Sequence, residues 1–351
     1  MKKTYDLHVV ETRPLITPAE LHASLPISET AAETVTTARE TIRAILRGED
    51  RRPLVIVGPC SIHDVDAARD YGRRLLPLRR ELAGELEIVM RVYFEKPRTN
   101  VGWKGLINDP HLDGSYDINT GLHLARQLLL DLAELGLPAA TELLDPIIPQ
   151  FIADVIAWTA IGARTTESQT HRMMASGLSM PIGFKNGTDG GLSVAANAML
   201  AAAEPHHFLG INHQGMASIV TTTGNPDCHL VLRGGSKGPN YTIEHVEAAA
   251  AQLEKLGINS RVMIDCSHGN SNKDYRRQVE VLRTVAQQAA RTPHLLGVMI
   301  ESHLVAGNQP LGDDLSQLTY GQSVTDACVD FQTTETMLRD LAEAVRGACL
   351  V

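Results

Sequence analysis

The sequence lacks the features that mark several large classes of protein. It has only five cysteines, an odd number with no C-x-x-C pair, which disfavours both a disulfide framework and a zinc ribbon. No apolar run approaches the roughly 18 residues of a membrane helix, and the first residues form no apolar signal segment. These absences predict a cytoplasmic protein.

Linkers, repeats and nucleotide-binding glycine motifs are also missing. No Pro/Ser-rich tract or internal repeat divides the 351 residues, so one domain over residues 1–351 is the simplest interpretation. The net charge of −9 argues against nucleic acid as a partner. The basic, glycine-rich loop 233–238 lacks the G-x-x-x-x-G-K-[ST] spacing of a phosphate-binding loop, so only Arg233 is taken from it as a candidate.

Eight apolar, β-prone runs alternate with amphipathic stretches of helical spacing. Such alternation needs crossover connections and therefore a parallel sheet, and eight units favour closure into a (β/α)8 TIM barrel. A Rossmann-type open sheet is the alternative, but no G-x-G-x-x-G follows the first run. The runs cover residues 54–57, 86–94, 137–143, 158–163, 180–184, 228–232, 261–265 and 295–300.

The chain exceeds a barrel of roughly 250 residues, and two segments take up the excess. We expect residues 1–50 to form an N-terminal helical extension ahead of a barrel at 51–351, and residues 206–223 to form an inserted β-hairpin. In the extension, Thr30 and Glu33 are spaced as a capping box, and Gly48 is placed to end the helix. Its apolar face predicts packing on the barrel or on a neighbouring subunit; that face holds Val35, Ala38, Ile42 and Ile45.

Charged or metal-binding side chains stand just past the end of nearly every run. In TIM barrels the C-terminal strand ends meet on one face and carry the chemistry. Six of these side chains are cations, and a mixture of arginine and lysine suits a ligand with both phosphate and carboxylate groups. We therefore expect a focused anion site that binds at least one phosphorylated acid. The cations are Arg91, Lys96, Arg98, Arg164, Lys185 and Arg233.

A second, softer set of side chains follows the first and the last two runs. Cys60, His268, Glu301 and Asp326 offer a thiolate, an imidazole and two carboxylates. First and last strands become neighbours when a barrel closes, so these residues would meet. Their mixed hardness suits manganese, iron, cobalt or zinc better than magnesium or calcium. The sequence therefore predicts one divalent metal ion per subunit.

Several segments are specific enough to indicate a family. They are VGPCSIHD (57–64), MRVYFEKPRTNVGWKGLINDP (90–110), IGARTTESQTHR (161–172), GFKNGTDG (183–190), LRGGSKGPNY (232–241), DCSHGNSNKDYRRQ (265–278), ESHLVAGNQ (301–309) and YGQSVTDAC (320–328). These segments resemble the class I 3-deoxy-D-arabino-heptulosonate 7-phosphate synthases, the microbial type with a feedback-regulated N-terminal extension. The resemblance implies a metal-dependent condensation of phosphoenolpyruvate with erythrose 4-phosphate at the entry to the shikimate pathway.

The resemblance also implies a role for each strand-end residue. The metal ligands would be Cys60, His268, Glu301 and Asp326. Arg164 and Lys185 would hold the phosphate of phosphoenolpyruvate, with Arg91, Lys96 and Arg233 around its carboxylate. Arg98 and Thr99 would hold the phosphate of the aldose.

The remaining candidates concern proton transfer. Lys96 and Lys185 are the nearest proton carriers, and His268 belongs to the same catalytic group. Glu142 and Asp265 would position water or orient the lysines, with a structural salt bridge as the alternative for either.

The family is inhibited by an aromatic amino acid that binds away from the barrel mouth. The matching positions here are Pro149, Gln150, Leu178, Phe208, Gly210 and Val220. The N-terminal segment of a neighbouring subunit would complete that pocket, which implies a homodimer or homotetramer. Because Gly210 leaves room for a phenol hydroxyl, the sequence favours tyrosine as the effector.

Three alternatives remain at this point. The first is a related synthase that joins phosphoenolpyruvate to a five-carbon phosphosugar. The second is a metal-dependent barrel hydrolase, although such sites tend to use several histidines. The third is a ligand sensor without a metal.

Overall fold

The computed structural model describes residues 2–98, 100–289, 291–312 and 314–348. Its helices are α1 (Pro18–Ser24), α2 (Glu29–Arg47), α3 (Val65–Glu81), α4 (Ile118–Glu134), α5 (Pro149–Ile152), α6 (Gln169–Ala175), α7 (Ser193–Ala203), α8 (Ile243–Lys255), α9 (Gln278–Ala289) and α10 (Phe331–Ala348). Its strands are β1 (Leu54–Gly58), β2 (Glu87–Arg91), β3 (Ala139–Glu142), β4 (Trp158–Ile161), β5 (Ile182–Lys185), β6 (His207–Ile211), β7 (Ala217–Thr221), β8 (Cys228–Leu232), β9 (Val262–Asp265), β10 (Leu295–Glu301), β11 (Val305–Asn308) and β12 (Gln322–Ser323).

Eight of the strands form a closed barrel in the order β1-β10-β9-β8-β5-β4-β3-β2. Every pair in it is parallel, and β1 pairs with both β2 and β10. The predicted TIM barrel is confirmed and the open sheet is ruled out. Each apolar run overlaps one barrel strand to within a few residues at either end, but the second run was predicted too long: β2 ends at Arg91, where the chain turns into the loop that carries Lys96 and Arg98.

Helix α2 lies across the N-terminal end of the barrel. Ile42 and Ile45 are fully buried and pack with Leu54, Trp158 and Leu296, which stand at strand beginnings. Arg39 and Arg43 of the same helix donate hydrogen bonds to the carbonyl oxygens of Ile156 and Ser179, just before β4 and β5. The extension therefore packs on the barrel of its own chain, one of the two predicted outcomes.

The end of α2 is as predicted, whereas its beginning is not. Gly48 follows the helix with a φ of 76°, a left-handed conformation that favours glycine. The N-cap is Ser28, whose hydroxyl accepts a hydrogen bond from Ala31 N–H at 3.1 Å. Thr30 and Glu33 therefore lie inside the helix and form no capping box. The structure has one at Thr17 instead, ahead of α1.

The inserted hairpin is present as β6 and β7. Its antiparallel register pairs Phe208 with Val220 and Leu209 with Ile219. Because strand side chains alternate between faces, Phe208, Gly210 and Val220 share the face toward the barrel. Leu209 and Ile219 stand on the other face and are 88% and 76% exposed.

Within the described ranges, no helix combines the length and the apolarity needed to cross a bilayer.

The packing of α2 predicts a stability effect. Ile42→Ala should lower the free energy of unfolding by about 2–5 kcal/mol, because it opens a cavity between α2 and the barrel base. The exposed Thr37 on the same helix is the control, and Thr37→Ala should stay within about 0.5 kcal/mol of wild type. Urea titration of both variants measures the difference. Equal midpoints would show that α2 does not contribute to the core.

Candidate active site

The C-terminal strand ends surround a cavity of about 480 Å³. Nearly all the residues predicted from the strand ends meet there. Cys60, Asp265 and Glu301 lie directly beside it and are fully buried. Thr99 lies outside the described residues. The predicted residues that line the cavity are Arg91, Lys96, Arg98, Glu142, Arg164, Lys185, Arg233, His268 and Asp326.

The six cations occupy different depths. Arg91, Lys96 and Lys185 are buried, Arg233 is half-buried, and Arg98 and Arg164 are exposed at the rim. Arg91 donates to Oε1 of Glu301 at 2.9 Å and lies over the ring of Tyr93 at 3.5 Å. Its guanidinium is therefore fixed in place. An anion entering the cavity therefore meets the exposed cations Arg98 and Arg164 at the rim before it reaches the fixed charge of Arg91 at the base.

Asp265 joins a lysine and a histidine. Lys185 Nζ donates to Oδ2 of Asp265 at 3.0 Å, and Nδ1 of His268 lies 2.9 Å from the same oxygen. Burial by itself would raise the pKa of Asp265, but His268 and Lys185 hold it well below its usual value. The carboxylate therefore stays ionised and is paired with the charge of Lys185, while His268 lies within ion-pair distance of it.

Glu142 is buried at the cavity wall and, unlike Asp265, lacks a partner for one of its oxygens. The Oε1 atom of Glu142 has no hydrogen-bond partner in the described part of the chain. A Cβ at Gly162, directly after β4, would lie 2.2 Å from this oxygen, so a side chain there would displace the carboxylate. The salt bridge considered for Glu142 is absent among the described residues. Its carboxylate is thus available to a cavity water or ligand.

Three of the four predicted metal ligands form a compact group. The donor atoms of Cys60, Glu301 and Asp326 all lie within 4.8 Å of one another. Metal–ligand bonds of about 2.0–2.3 Å place two donors of one ion up to roughly 4.5 Å apart, so small side-chain shifts would suffice. His268 presents Nε2 at 3.8 Å from Oε1 of Glu301. Its other ring nitrogen lies beside Asp265 without a hydrogen bond to it; a carboxylate commonly stands behind a ligating histidine.

Burial and neighbouring charges set the ionisation of this group. Burial, then Glu301, raise the pKa of the Cys60 thiol to about 11. Burial opposes ionisation of Glu301, yet His268, Arg91 and Lys96 lower its pKa to about 2. Lys96 Nζ lies 3.1 Å from the sulfur of Cys60 and 3.9 Å from Oδ2 of Asp326. The donor set fits a borderline-soft divalent ion, whose binding deprotonates the thiol.

Sequence reasoning missed several residues of the cavity. Lys273 adds a seventh cation, and Ser267 donates to Oε2 of Glu301 at 2.7 Å. Both belong to the loop after β9, where His268 and Lys273 have φ values of 56° and 61°. These left-handed residues fold the loop back over the cavity. The only sequence signal was the lysine within the quoted segment 265–278. The other missed lining residues include Asn100, Thr188, Tyr275 and Asn308.

A separate cavity of about 180 Å³ lies between the hairpin and the segment after β3. All six residues predicted to bind an effector line it, which are Pro149, Gln150, Leu178, Phe208, Gly210 and Val220. The hairpin brings them together because Phe208, Gly210 and Val220 share its inner face. Pro146, Met174 and Ile211 also line this cavity, and sequence reasoning did not predict them.

Comparison with known protein families identifies the family of this chain. Residues 25–339 match the model of the DAHP synthetase I family, where DAHP is 3-deoxy-D-arabino-heptulosonate 7-phosphate. The chain belongs to this family. The resemblance inferred from the motifs is thereby confirmed.

Relatives in the DAHP synthetase I family match over almost the whole chain. The Phe-sensitive phospho-2-dehydro-3-deoxyheptonate aldolase of Escherichia coli K12 is 56% identical, over 97% of this chain and 97% of the relative. The Tyr-sensitive enzyme of the same strain is 52% identical, over 97% and 96%. A solved phospho-2-dehydro-3-deoxyheptonate aldolase from Francisella tularensis SCHU S4 has a TM-score of 0.94 at 52% identity, covering 96% of this chain and 98% of that one. Both feedback types are thus similar to this chain.

The geometry of the donor group predicts the effect of removing its thiol. Cys60→Ala should weaken binding of Mn²⁺ by more than the roughly 10–100-fold that an outer contact contributes, with little change in thermal stability. The buried Cys266 faces the apolar core outside the cavity, so Cys266→Ala is the matched control and should bind Mn²⁺ normally. Metal content after gel filtration measures both. Full metal occupancy in Cys60→Ala would remove this residue from the ligand set.

Proposed function

We propose that this protein condenses phosphoenolpyruvate with D-erythrose 4-phosphate to give DAHP and phosphate, the first step of the shikimate pathway of aromatic amino acid biosynthesis. The observation that carries the proposal is a single cavity that combines cations of graded depth with a thiol, imidazole and carboxylate group. The family membership and the activities named for the relatives support the same reaction.

The charges of the substrates match those of the cavity. Two phosphates and one carboxylate bring roughly five negative charges, since each phosphate carries about −1.5 to −2. Arg164 and Lys185 bind the phosphate of phosphoenolpyruvate, and Arg91, Lys96 and Arg233 surround its carboxylate. Arg98 at the rim, with Thr99, binds the phosphate of the aldose.

A divalent ion completes the site. Cys60, His268, Glu301 and Asp326 hold it, and manganese, iron, cobalt and zinc all suit this donor set. When bound, the ion supplies a Lewis acid for the aldehyde oxygen of the aldose.

The residues of the chain orient and protonate the reacting atoms. The new carbon–carbon bond joins the methylene carbon of phosphoenolpyruvate to the aldehyde carbon, and Lys96 or Lys185 transfers a proton to the aldehyde oxygen. Water then adds to the former enol carbon, and Glu142 accepts its proton. The phosphate then leaves toward Arg164 and Lys185 with carbon–oxygen cleavage, taking the electron pair of that bond, and the new hydroxyl gives up its proton to the departing phosphate as the ketone forms. Asp265 keeps Lys185 and His268 in position throughout.

The dependence on both substrates tests this function. With Mn²⁺ present, the protein should consume phosphoenolpyruvate only after erythrose 4-phosphate is added, and it should release one phosphate per molecule consumed. EDTA should stop the reaction and Mn²⁺ should restore it. Consumption with arabinose 5-phosphate would favour the five-carbon synthase instead. Loss of phosphoenolpyruvate without any aldose would favour a hydrolase.

We also propose that an aromatic amino acid, tyrosine in preference to phenylalanine, inhibits the enzyme from the cavity beside the hairpin. The convergence of Pro149, Gln150, Leu178, Phe208, Gly210 and Val220 on that cavity supports a ligand site, and the absence of a side chain at Gly210 leaves space for a phenol hydroxyl. The protein acts as a homodimer or homotetramer. Exposed apolar side chains at Leu209 and Ile219 support self-association through the hairpin.

Titration with tyrosine, phenylalanine and tryptophan at subsaturating substrate tests the regulatory proposal. Tyrosine should inhibit most strongly, by about 5–150-fold in apparent substrate affinity. Gly210→Ser should shift the preference toward phenylalanine, because its Cβ would lie 2.7 Å from Cγ2 of Val220 and the side chain fills the space for the hydroxyl. Gly84 stands in open space, so Gly84→Ser is the control and should keep the wild-type order. Strongest inhibition by tryptophan, or none by any of the three, would contradict the regulatory proposal without touching the catalytic one.

A further inference from the structure

Gln278 has a buried polar side chain to which the proposed mechanism assigns no role. It is the first residue of α9 and is fully buried. Its side-chain amide pairs with the main chain of Glu301: Oε1 accepts from Glu301 N–H at 2.9 Å, and Nε2 donates to the Glu301 carbonyl oxygen at 3.0 Å. The side-chain amide of Gln278 thus makes both main-chain hydrogen bonds that a neighbouring parallel strand would make with Glu301.

The barrel needs this substitute because β9 is shorter than β10. The last pair between them is Met299 with Asp265, and Cys266 N–H donates to the Met299 carbonyl. The chain then turns away into the loop of His268. In a parallel ladder, alternate residues bond to opposite neighbours. Glu301 therefore points its N–H toward the side that β9 has already left.

The opposite side of Glu301 is supported by strand pairing. There β1 continues to the pair of Gly58 with Glu301, and Ser302 N–H donates to the Gly58 carbonyl. The Glu301 carbonyl also accepts from Val329 N–H at 3.0 Å. Loss of Gln278 would leave that carbonyl with one partner, but the buried N–H of Glu301 would have none among the described residues. An unpaired buried N–H is unfavourable enough to shift the strand end.

The side chain of Glu301 depends on the placement of its main chain. Arg91 donates to Oε1 at 2.9 Å and Ser267 donates to Oε2 at 2.7 Å. These two contacts set how the carboxylate is rotated, but they cannot set where its backbone lies. The pairing with β1 restrains the main chain on one side, and Gln278 supplies the restraint at the N–H of Glu301 on the other.

We propose that Gln278 is a positioning residue for the metal centre, which continues the strand pairing beyond β9 and so holds Glu301 where its carboxylate binds the ion. This inference rests on the proposed function, in which Glu301 is a ligand. Contacts behind a metal ligand typically contribute about 10–100-fold to metal affinity. Gln278 should therefore affect metal affinity more than it affects binding of phosphoenolpyruvate.

Titration of the metal-free protein with Co²⁺ tests the inference without using activity. Coordination by the Cys60 thiolate gives a charge-transfer absorption band, so the titration reports both affinity and geometry. Gln278→Met keeps the length of the side chain and removes its donor and acceptor. It should raise the Kd for Co²⁺ about 10-fold or more and change the shape of the band.

A second buried glutamine on the same helix provides the control. Gln288 is 5% exposed and its Oε1 has no partner in the described part of the chain. Gln288→Met makes the same chemical change away from Glu301, and it should leave the Kd within about twofold of wild type, well below the effect expected at position 278.

A second variant covers the case in which Gln278→Met does not fold. Gln278→Glu keeps an oxygen for Glu301 N–H and loses the donor to the carbonyl, so its affinity should fall between those of wild type and Gln278→Met. Wild-type affinity in the folded Gln278 variants would overturn the inference, as would equal losses at positions 278 and 288. Absence of the band in wild type would overturn the metal centre itself, which distinguishes the two failures.

Discussion

The pairing of the first barrel strand with the last is the constraint on which the rest of the site depends. β1 and β10 run side by side from Leu54 with Gly297 to Gly58 with Glu301. This pairing closes the barrel and places Cys60 next to Glu301, although the two residues come from opposite ends of the chain. His268 follows from the adjacent β9, and Asp326 from the connection after β10. Without closure, the thiol and the carboxylates would not come within reach of one another.

Closure of the barrel also buries several charged side chains, and pairing of opposite charges offsets the unfavourable free energy of burying them. Arg91 with Glu301 and Lys185 with Asp265 are ion pairs in which every side chain is almost inaccessible to solvent. An isolated buried charge would be strongly unfavourable, whereas these pairs hold each other in fixed orientations. The cations that face the cavity are consequently oriented before substrate arrives, the condition for electrostatic stabilisation of a developing charge. Apolar side chains and α2 fill the barrel beneath them.

The sequence predicted the parts of this arrangement that follow from periodicity and topology. Apolar runs located the barrel strands. Because the strand ends of a barrel meet on one face, residues far apart in the sequence, such as Arg91 and Lys185, were predicted to share one site. The parts it did not predict depend on local conformation. Ser28 and Thr30 are both good N-caps, and the apolar pattern of α2 does not choose between them. Lys273 reaches the cavity through left-handed loop residues, and Gln278 meets Glu301 because two strands differ in length. Neither feature has a periodic signal.

Anomalous X-ray diffraction from crystals grown with Mn²⁺ and phosphoenolpyruvate tests the central claim most directly, since it locates the ion independently of any variant. We expect one strong anomalous peak per chain, within about 2.0–2.5 Å of donor atoms from Cys60, His268, Glu301 and Asp326. The phosphate of phosphoenolpyruvate should lie against Arg164 and Lys185 in the same cavity. A peak elsewhere, or an ion held without the Cys60 sulfur, would contradict the account.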